Sequence, residues 1–160
     1  MSRKDSVVPS PGLIIKKVGD FDLDALYSDM HLFFDENSYI FHEKENSTKV
    51  KDKGSELEIK WTSERNVDTY AKFIIDVYFY IERLKKVGKI YNGDMIIYLN
   101  ATVELDYKNE WPLKPFGNFL FKIYNAYIIK HKILEKYYGP LYTEVTALQD
   151  RAKRILEFYP

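Results

Sequence analysis

The chain has 160 residues, no cysteine, and 24 basic side chains against 24 acidic ones, so its net charge at neutral pH is zero. This length suits one domain that buries about two-thirds of its unfolded surface. The lack of cysteine excludes disulfides, thiolate metal sites and a cysteine nucleophile. Zero net charge disfavours a nucleic-acid-binding protein, because phosphate contacts require a basic excess.

The N-terminal segment is polar and interrupted by Pro9 and Pro11. We therefore predict a flexible arm over residues 1–11 and a single domain over residues 12–160. The segment lacks the apolar core of a signal peptide, and no apolar run approaches the roughly 20 residues that span a bilayer. The sequence thus predicts a cytoplasmic protein without a membrane span.

A short strand and a helix are predicted first. The strand covers residues 12–18, where the apolar run GLIIKKV stands. Asp22 can cap a helix that follows, with Phe21 packing onto Leu26 and Asp24 favoured by the helix dipole in the first turn. Apolar side chains then recur at helical spacing as far as Phe34. The run at residues 35–38 (DENS) ends the predicted helix.

From residue 39 to residue 107 the apolar residues recur at every second position, which is typical of half-buried strands. Residues 39–45 are a candidate strand, residues 46–54 a polar hairpin or loop, and residues 57–61 a further strand. The longest strand is predicted over residues 67–81, with uncharged odd positions and a tyrosine-rich even face. Its partner covers residues 95–107, and the pair is predicted to form a long hairpin.

The turn of this hairpin is predicted at Asn92-Gly93, a strong hairpin signal. A two-residue loop there would pair residue 91 with residue 94, so odd positions would face even ones and apolar side chains would face polar ones. One extra residue restores the match and pairs Ile81 with Val103. We therefore predict a β-bulge between Arg83 and Gly88, most simply at Gly88; a longer irregular turn through residues 83–93 is the alternative.

The C-terminal third is predicted to be helical. Residues 116–138 carry apolar groups on most sides, so this long helix should be central. Gly139 and Pro140 should stop or kink it, with glycine as a left-handed cap and a proline that cannot continue the hydrogen-bond ladder. A narrow apolar stripe from Leu141 to Tyr159 then predicts a final helix that covers a sheet edge or a partner.

The predicted fold class is α+β, with an antiparallel β-sheet, a meander containing one long hairpin, packed on a long C-terminal helix. In general plan this resembles the helix-grip (START-like) architecture. The resemblance is one of architecture only, and it implies a space between sheet and helix in which such folds commonly hold apolar ligands.

No motif for catalysis, a cofactor or a metal stands out. Asp20, Asp22 and Asp24 alternate like the start of a calcium loop, but Ala25 and His31 occupy the positions that require glycine and glutamate. The three histidines lack ligand spacing, and no P-loop, GxGxxG or GxSxG is present. The sequence therefore favours a non-enzymatic protein without catalytic residues, cofactor or metal.

Two surfaces are candidates for function. Small residues on the apolar sheet face could leave a pocket for a small apolar ligand or lipid, with polar groups of the long helix orienting it; close packing against that helix is the simpler alternative. The predicted pocket residues are Thr69, Ala71, Ala101, Tyr124, Tyr127 and His131. The opposite face could bind a protein partner or a second copy, or it could be an ordinary solvated face, since tyrosine suits exposed strands. Its predicted interface residues are Tyr70, Lys72, Tyr78, Tyr80, Tyr98 and Asn100.

The first functional expectation is a small apolar ligand- or lipid-binding domain with a cavity between sheet and C-terminal helix. The alternative is a structural or protein-interaction module that self-associates through the tyrosine-rich face or the final helix. Stacking of single-stranded RNA on the tyrosines is disfavoured because Asp76 and Glu104 lie on the same face and repel phosphates.

Overall fold

The computed structural model describes residues 2–108 and 134–157. The elements in chain order are β1 (Arg3–Ser6), β2 (Leu13–Phe21), α1 (Leu23–Glu36), β3 (Ile40–Lys51), β4 (Gly54–Asn66), β5 (Ala71–Val87), β6 (Ile90–Leu105), a π-helical turn (Leu134–Tyr138) and α2 (Gly139–Glu157). The predicted α+β class, an antiparallel sheet packed on a C-terminal helix, is confirmed.

Within residues 2–108 and 134–157 the sheet has six strands, all paired antiparallel. Strands β3, β4, β5 and β6 follow one another as a meander, and the far side of β6 pairs with both β1 and β2, end to end. Within the predicted N-terminal arm, Arg3–Ser6 form β1 and Val8 is buried. The division of the chain into a flexible arm and one domain stays a prediction.

One face of the sheet, here called the inner face, is covered by the two described helices. It carries the odd-numbered residues of β5 as far as Ile81, where a bulge follows, and those of β6 from Met95, as the alternation predicts. These side chains are at most 1% exposed: Ala71, Phe73, Ile75, Val77, Phe79, Ile81, Met95, Ile97, Leu99, Ala101, Val103 and Leu105. Helix α1 packs against β3 and α2, and α2 packs against β6 and β2. The opposite surface is called the outer face.

Helix α1 begins and ends where the sequence predicts. The Asp22 carboxylate accepts a hydrogen bond from the Ala25 amide at 3.0 Å and so caps the helix. Phe21 and Leu26 are both completely buried, as the predicted packing between them requires. Asn37 is the C-cap, and Ser38 adopts a left-handed φ of 62°.

The long hairpin of β5 and β6 is present, but its turn is not at Asn92-Gly93. The tip lies at Gly88 and Lys89, between the paired residues Val87 and Ile90. Gly88 supplies the left-handed backbone that a tight hairpin turn needs, with φ at 64°. Because the tip lies earlier in the chain, Ile81 pairs with Met95 and not with Val103.

The predicted bulge exists, and it lies at Arg83 and Leu84 rather than at Gly88. The register shifts by one residue between Glu82 and Lys85. Arg83 adopts a φ of 52°, and the same irregularity disturbs the pairing with β4. A turn at residues 88–89, like one at 92–93, pairs odd-numbered positions with even-numbered ones. One extra residue is therefore needed to match the apolar faces with either turn, which is why the prediction of a bulge was correct.

Glycines on both neighbouring strands make room for the bulge. A Cβ on Gly54 would lie 2.8 Å from the Arg83 carbonyl carbon, and a Cβ on Gly93 would lie 2.9 Å from the Glu82 carbonyl oxygen. Gly93 is therefore needed for close backbone approach and not for a turn. Asn92 instead donates to the Asp20 carboxylate at 2.8 Å, which ties β6 to β2.

The polar run at residues 46–54 is a hairpin, which is one of its two predicted alternatives; its arms belong to β3 and β4, and its turn lies at Asp52 and Lys53. Several strand and helix boundaries differ from the predictions. Strand β5 starts at Ala71, because the Asp68 carboxylate accepts from the Tyr70 and Ala71 amides and holds a turn. Gly139 and Pro140 do not end a helix but form the first turn of α2, where proline is tolerated.

The predicted long apolar helix falls mostly outside the described residues, since residues 116–133 are not among them. Its last part, Leu134–Tyr138, is the π-helical turn that leads directly into α2. The predicted stripe of the final helix is buried inside the protein at Leu141, Val145, Leu148 and Ala152. At these positions the stripe packs against the sheet and α1; Tyr159, its last member, lies outside the described residues. Self-association through this helix stays a prediction.

Candidate functional site

Half of the predicted pocket residues can be placed. Ala71 and Ala101 are completely buried on the inner face. Thr69 lies in the turn before β5 and is exposed, so it does not belong to the sheet face. Tyr124, Tyr127 and His131 lie outside the described residues.

Three of the predicted interface residues form a stacked row on the outer face, here called the tyrosine ladder: Tyr78, Tyr80 and Tyr98. Tyr78 and Tyr98 are direct cross-strand partners with ring centroids 6.0 Å apart and planes inclined by 22°. Tyr80, two residues along β5, stacks on Tyr78 at 6.5 Å and 19°. Such offset pairs stabilise each other modestly and leave one aromatic surface toward solvent. All three side chains are half-buried.

The other three predicted interface residues have structural roles. Lys72 lies 3.6 Å from the Glu64 carboxylate, with its ammonium 5.1 Å from the Tyr107 ring centroid. Asn100 donates to the Pro11 carbonyl at 3.0 Å and so holds the connection between β1 and β2. Tyr70 lies in the turn before β5 and packs against the apolar core.

Carboxylates surround the tyrosine ladder. Glu58 is the cross-strand partner of Tyr80, and Asp76 and Glu82 flank the ladder along β5. Two cations lie nearby. Lys60 lies 5.3 Å from the Tyr78 ring centroid, but its charge is balanced by Glu45 at 3.2 Å. Lys16 of β2 is separated from Tyr80 by Ile96 of β6. The immediate surroundings of the ladder are therefore net acidic.

The tyrosine pKa values agree with this acidic environment. The hydrogen bond that the Tyr80 hydroxyl donates to Glu82 at 2.9 Å, together with burial and nearby carboxylates, raises the pKa of Tyr80 to about 12. Burial first, and then the charge of Glu58, raises the pKa of Tyr78 as well. Both rings therefore stay neutral at physiological pH, and a cation is favoured over an anion beside them.

A polar cluster away from the ladder joins α2 to the sheet. Arg65 donates to both oxygens of Glu144, at 2.7 and 3.0 Å, and to the Asn37 carbonyl at 2.8 Å. The buried Tyr39 hydroxyl donates to the same carboxylate at 2.9 Å, and burial raises the pKa of Tyr39 well above its usual range. Because these donors and acceptors satisfy one another, we interpret this cluster as a structural connection between α2 and the sheet.

The histidines in the described part of the chain serve no evident chemistry. His31 lies 3.5 Å from Asp35, one helical turn later, and its ring packs edge-on against Phe41 at 4.4 Å. His42 is exposed on β3, and His131 is outside the described residues. Over residues 2–108 and 134–157, no three histidine or acidic side chains lie close enough together to hold a metal ion.

Sequence reasoning missed the neighbours that extend the ladder. Ile14 of β2 is the cross-strand partner of Tyr98, and Lys16 is the partner of Ile96. Both β2 side chains point to the outer face and are exposed. The alternation within GLIIKKV could have suggested these orientations, but only the pairing of β2 with β6 shows that they adjoin the tyrosines.

The fold and this surface define an α+β domain with one packed and one solvent-facing sheet face. Comparison with protein-family models, curated proteins and solved structures finds no match to this chain. Among the described helices, none is long and apolar enough to cross a membrane.

Proposed function

We propose that this protein is a non-enzymatic protein-binding domain that docks a cationic protein partner on the tyrosine ladder. The observation that carries the proposal is the stacked row of Tyr78, Tyr80 and Tyr98 in the centre of the outer face. Tyrosine offers a large and rigid contact area at low entropic cost, and it is enriched where protein interfaces bury their core.

The charges beside the ladder select the kind of partner. Glu58, Asp76 and Glu82 border the rings, while Lys60 is neutralised by Glu45. An arginine side chain can stack on a tyrosine face and pair with an adjacent carboxylate at the same time. A nucleic acid would bring its phosphates toward the same carboxylates, which disfavours it. An arginine-bearing protein surface therefore fits this face best.

The proposal is tested by NMR titration with a synthetic peptide that alternates arginine and glycine, at physiological ionic strength. We expect amide shifts on β5 and β6 around the ladder, and no such shifts with a matched glutamate–glycine peptide. A Tyr78→Thr and Tyr98→Thr double variant should bind the arginine peptide about tenfold more weakly, since each cation–π contact at an exposed site contributes about 0.5–1 kcal/mol.

The matched control is Tyr142→Ala, which removes an exposed tyrosine on α2, away from the outer face. It should leave the affinity for the arginine peptide unchanged within about twofold. Binding that persists in the double variant, or shifts that map to another face, would refute the proposal.

A second proposal is that a small apolar ligand binds between the sheet and the C-terminal helix. It is supported by one row across the inner face, where Ser63 pairs with Ile75 and Ile75 with Ala101. Ala101 is small among large neighbours, and the buried Ser63 hydroxyl has no hydrogen-bond partner among the described residues. A ligand with an apolar body and one polar atom would suit such a row. Native mass spectrometry of freshly purified protein should then show a small bound mass, and an apo mass alone would count against this proposal.

A further inference from the structure

A groove runs between β2 and the C-terminal end of α2. It has a volume of about 240 Å³. Its floor includes the buried side chains of Ile15 and Leu156, and its rim carries Lys16, Lys17 and Lys153 with one carboxylate, Glu157. An apolar floor with a basic rim is suited to a chain that carries both apolar and acidic groups.

The wall of the groove formed by β2 is a sheet edge. One side of β2 pairs with β6 over nine residues without a register shift, and no described strand pairs with its other side. Such an edge presents unpaired backbone donors and acceptors that can pair with an added strand. Ile14 and Val18 beside it are 39% and 75% exposed.

The regular part of this edge is Leu13 to Val18. Gly19 has a φ of 112°, which departs from the extended backbone that strand pairing needs. The six residues before it offer an edge of about 20 Å, at about 3.4 Å per residue. An added segment of roughly six residues is therefore the longest that this edge accommodates.

The other sheet edge lacks these properties. Strand β3 has a register shift between Glu43 and Glu45, so its edge is bulged. Its side chains also alternate in charge, with Lys44 standing between those two glutamates. Bulges and mixed charges are ways in which natural sheets block strand addition.

We propose that an extended, acidic peptide segment of a partner protein adds to the β2 edge as a seventh, outermost strand and lies in the groove beside α2. Apolar side chains of the peptide contact Ile15 and Leu156, and its carboxylates pair with Lys16 and Lys153. This site lies on the sheet edge and does not use the tyrosine ladder, so it stands or falls independently of the function proposed above.

The test uses the full chain and a blocked hexapeptide that alternates glutamate and valine. NMR titration at physiological ionic strength should shift the amides of Leu13–Val18 and of the last two turns of α2, and not those of Tyr78 and Tyr80 on β5. The same peptide N-methylated at alternate residues along one edge should lose at least tenfold in affinity, because it can no longer pair with β2. Two such peptides are tested, each N-methylated along a different edge of the peptide strand. If both bind as tightly as the unmethylated peptide, strand addition is overturned.

Charge is tested with a Lys16→Glu and Lys153→Glu double variant, whose altered side chains are both exposed. We expect at least a tenfold weaker affinity for the glutamate–valine peptide and none of this loss in a Lys44→Glu and Lys49→Glu control on β3. A peptide that alternates lysine and valine should not bind the unaltered protein. Should β2 instead pair with a second copy, sedimentation would show a dimer that excludes the peptide, and the proposal would be wrong.

Discussion

The two faces of the sheet are built by the same strands and yet differ in how their side chains pack. On the inner face, Trp61 packs edge-on against the rings of Tyr27, Phe41 and Phe79, with centroids 4.8–5.0 Å apart. On the outer face, side chains of neighbouring strands pair with one another. The Thr62 hydroxyl, for example, donates to the Asp76 carboxylate at 2.8 Å. The difference teaches that tight apolar packing is confined to the face that the helices close, and the docking surface that we propose lies on the other face.

The largest expected effect is the loss of stability when a large side chain is removed from the inner face. Trp61 is 1% exposed, and its indole also donates to Glu43 at 3.2 Å. Trp61→Ala should lower the free energy of unfolding by about 3–5 kcal/mol, because it leaves a cavity among rings that cannot collapse. Tyr98→Ala, which removes an aromatic ring from the outer face, should cost about 1 kcal/mol. Urea unfolding of both variants measures the contrast, and equal losses would show that the two faces are packed alike.

A smaller effect tests how tightly the inner face is filled. Ala101→Leu adds three carbon atoms at a completely buried position and should destabilise by about 1–3 kcal/mol through overpacking. Thr102→Leu, one residue along β6 and on the outer face, should stay within about 0.5 kcal/mol of the unaltered protein. A neutral Ala101→Leu variant would instead show room beside Ala101, as the apolar-ligand proposal requires.

The smallest effect is a pH dependence that separates Tyr39 from Tyr80. Both tyrosines have raised pKa values, Tyr39 chiefly by burial and Tyr80 chiefly by its hydrogen bond to Glu82. Below pH of about 10 both are protonated in the folded and the unfolded chain, so the full stability is present. As the pH rises further, only the unfolded chain releases these protons, and the stability declines.

Tyr39→Phe should therefore make the alkaline loss of stability less steep, and Tyr80→Phe should change it less because that hydroxyl lies on the solvent-facing side. Thermal melts between pH 8 and pH 11 would measure both slopes. A Tyr39→Phe variant whose stability falls as steeply as that of the unaltered protein would contradict the assigned role of burial.

Much of the sheet could be predicted from local pattern. Alternation along residues 71–81 and 95–105 assigns each side chain to a face, and the match between the two strands requires one extra residue. The turn position could not be obtained in this way. Asn92-Gly93 is a strong local hairpin signal, but Gly93 is required where the Arg83 bulge approaches β6, a contact between strands that no local pattern contains.

The candidate site was predicted only in part for the same reason. The even positions of β5 and β6 indicate a tyrosine-rich face, and Tyr78, Tyr80 and Tyr98 do stack there. The alternation places Tyr70 on that face because it starts the strand at residue 67, whereas Asp68 holds a turn and β5 begins only at Ala71. Lys72 and Asn100 lie on the face, but the Glu64 carboxylate and the Pro11 carbonyl engage them.

By itself, the sequence determined the α+β class, the helix start at Asp22, the two faces of the long strands and the need for a bulge. Each of these follows from backbone periodicity or from groups within a few residues of one another. The tertiary structure alone decided where the hairpin turns, that β2 lies along β6 beside the tyrosines, and that the stripe of α2 is buried within the chain. Those outcomes depend on which elements pack together. An apolar surface can be buried only against another element, and the sequence of one segment does not specify which element that is.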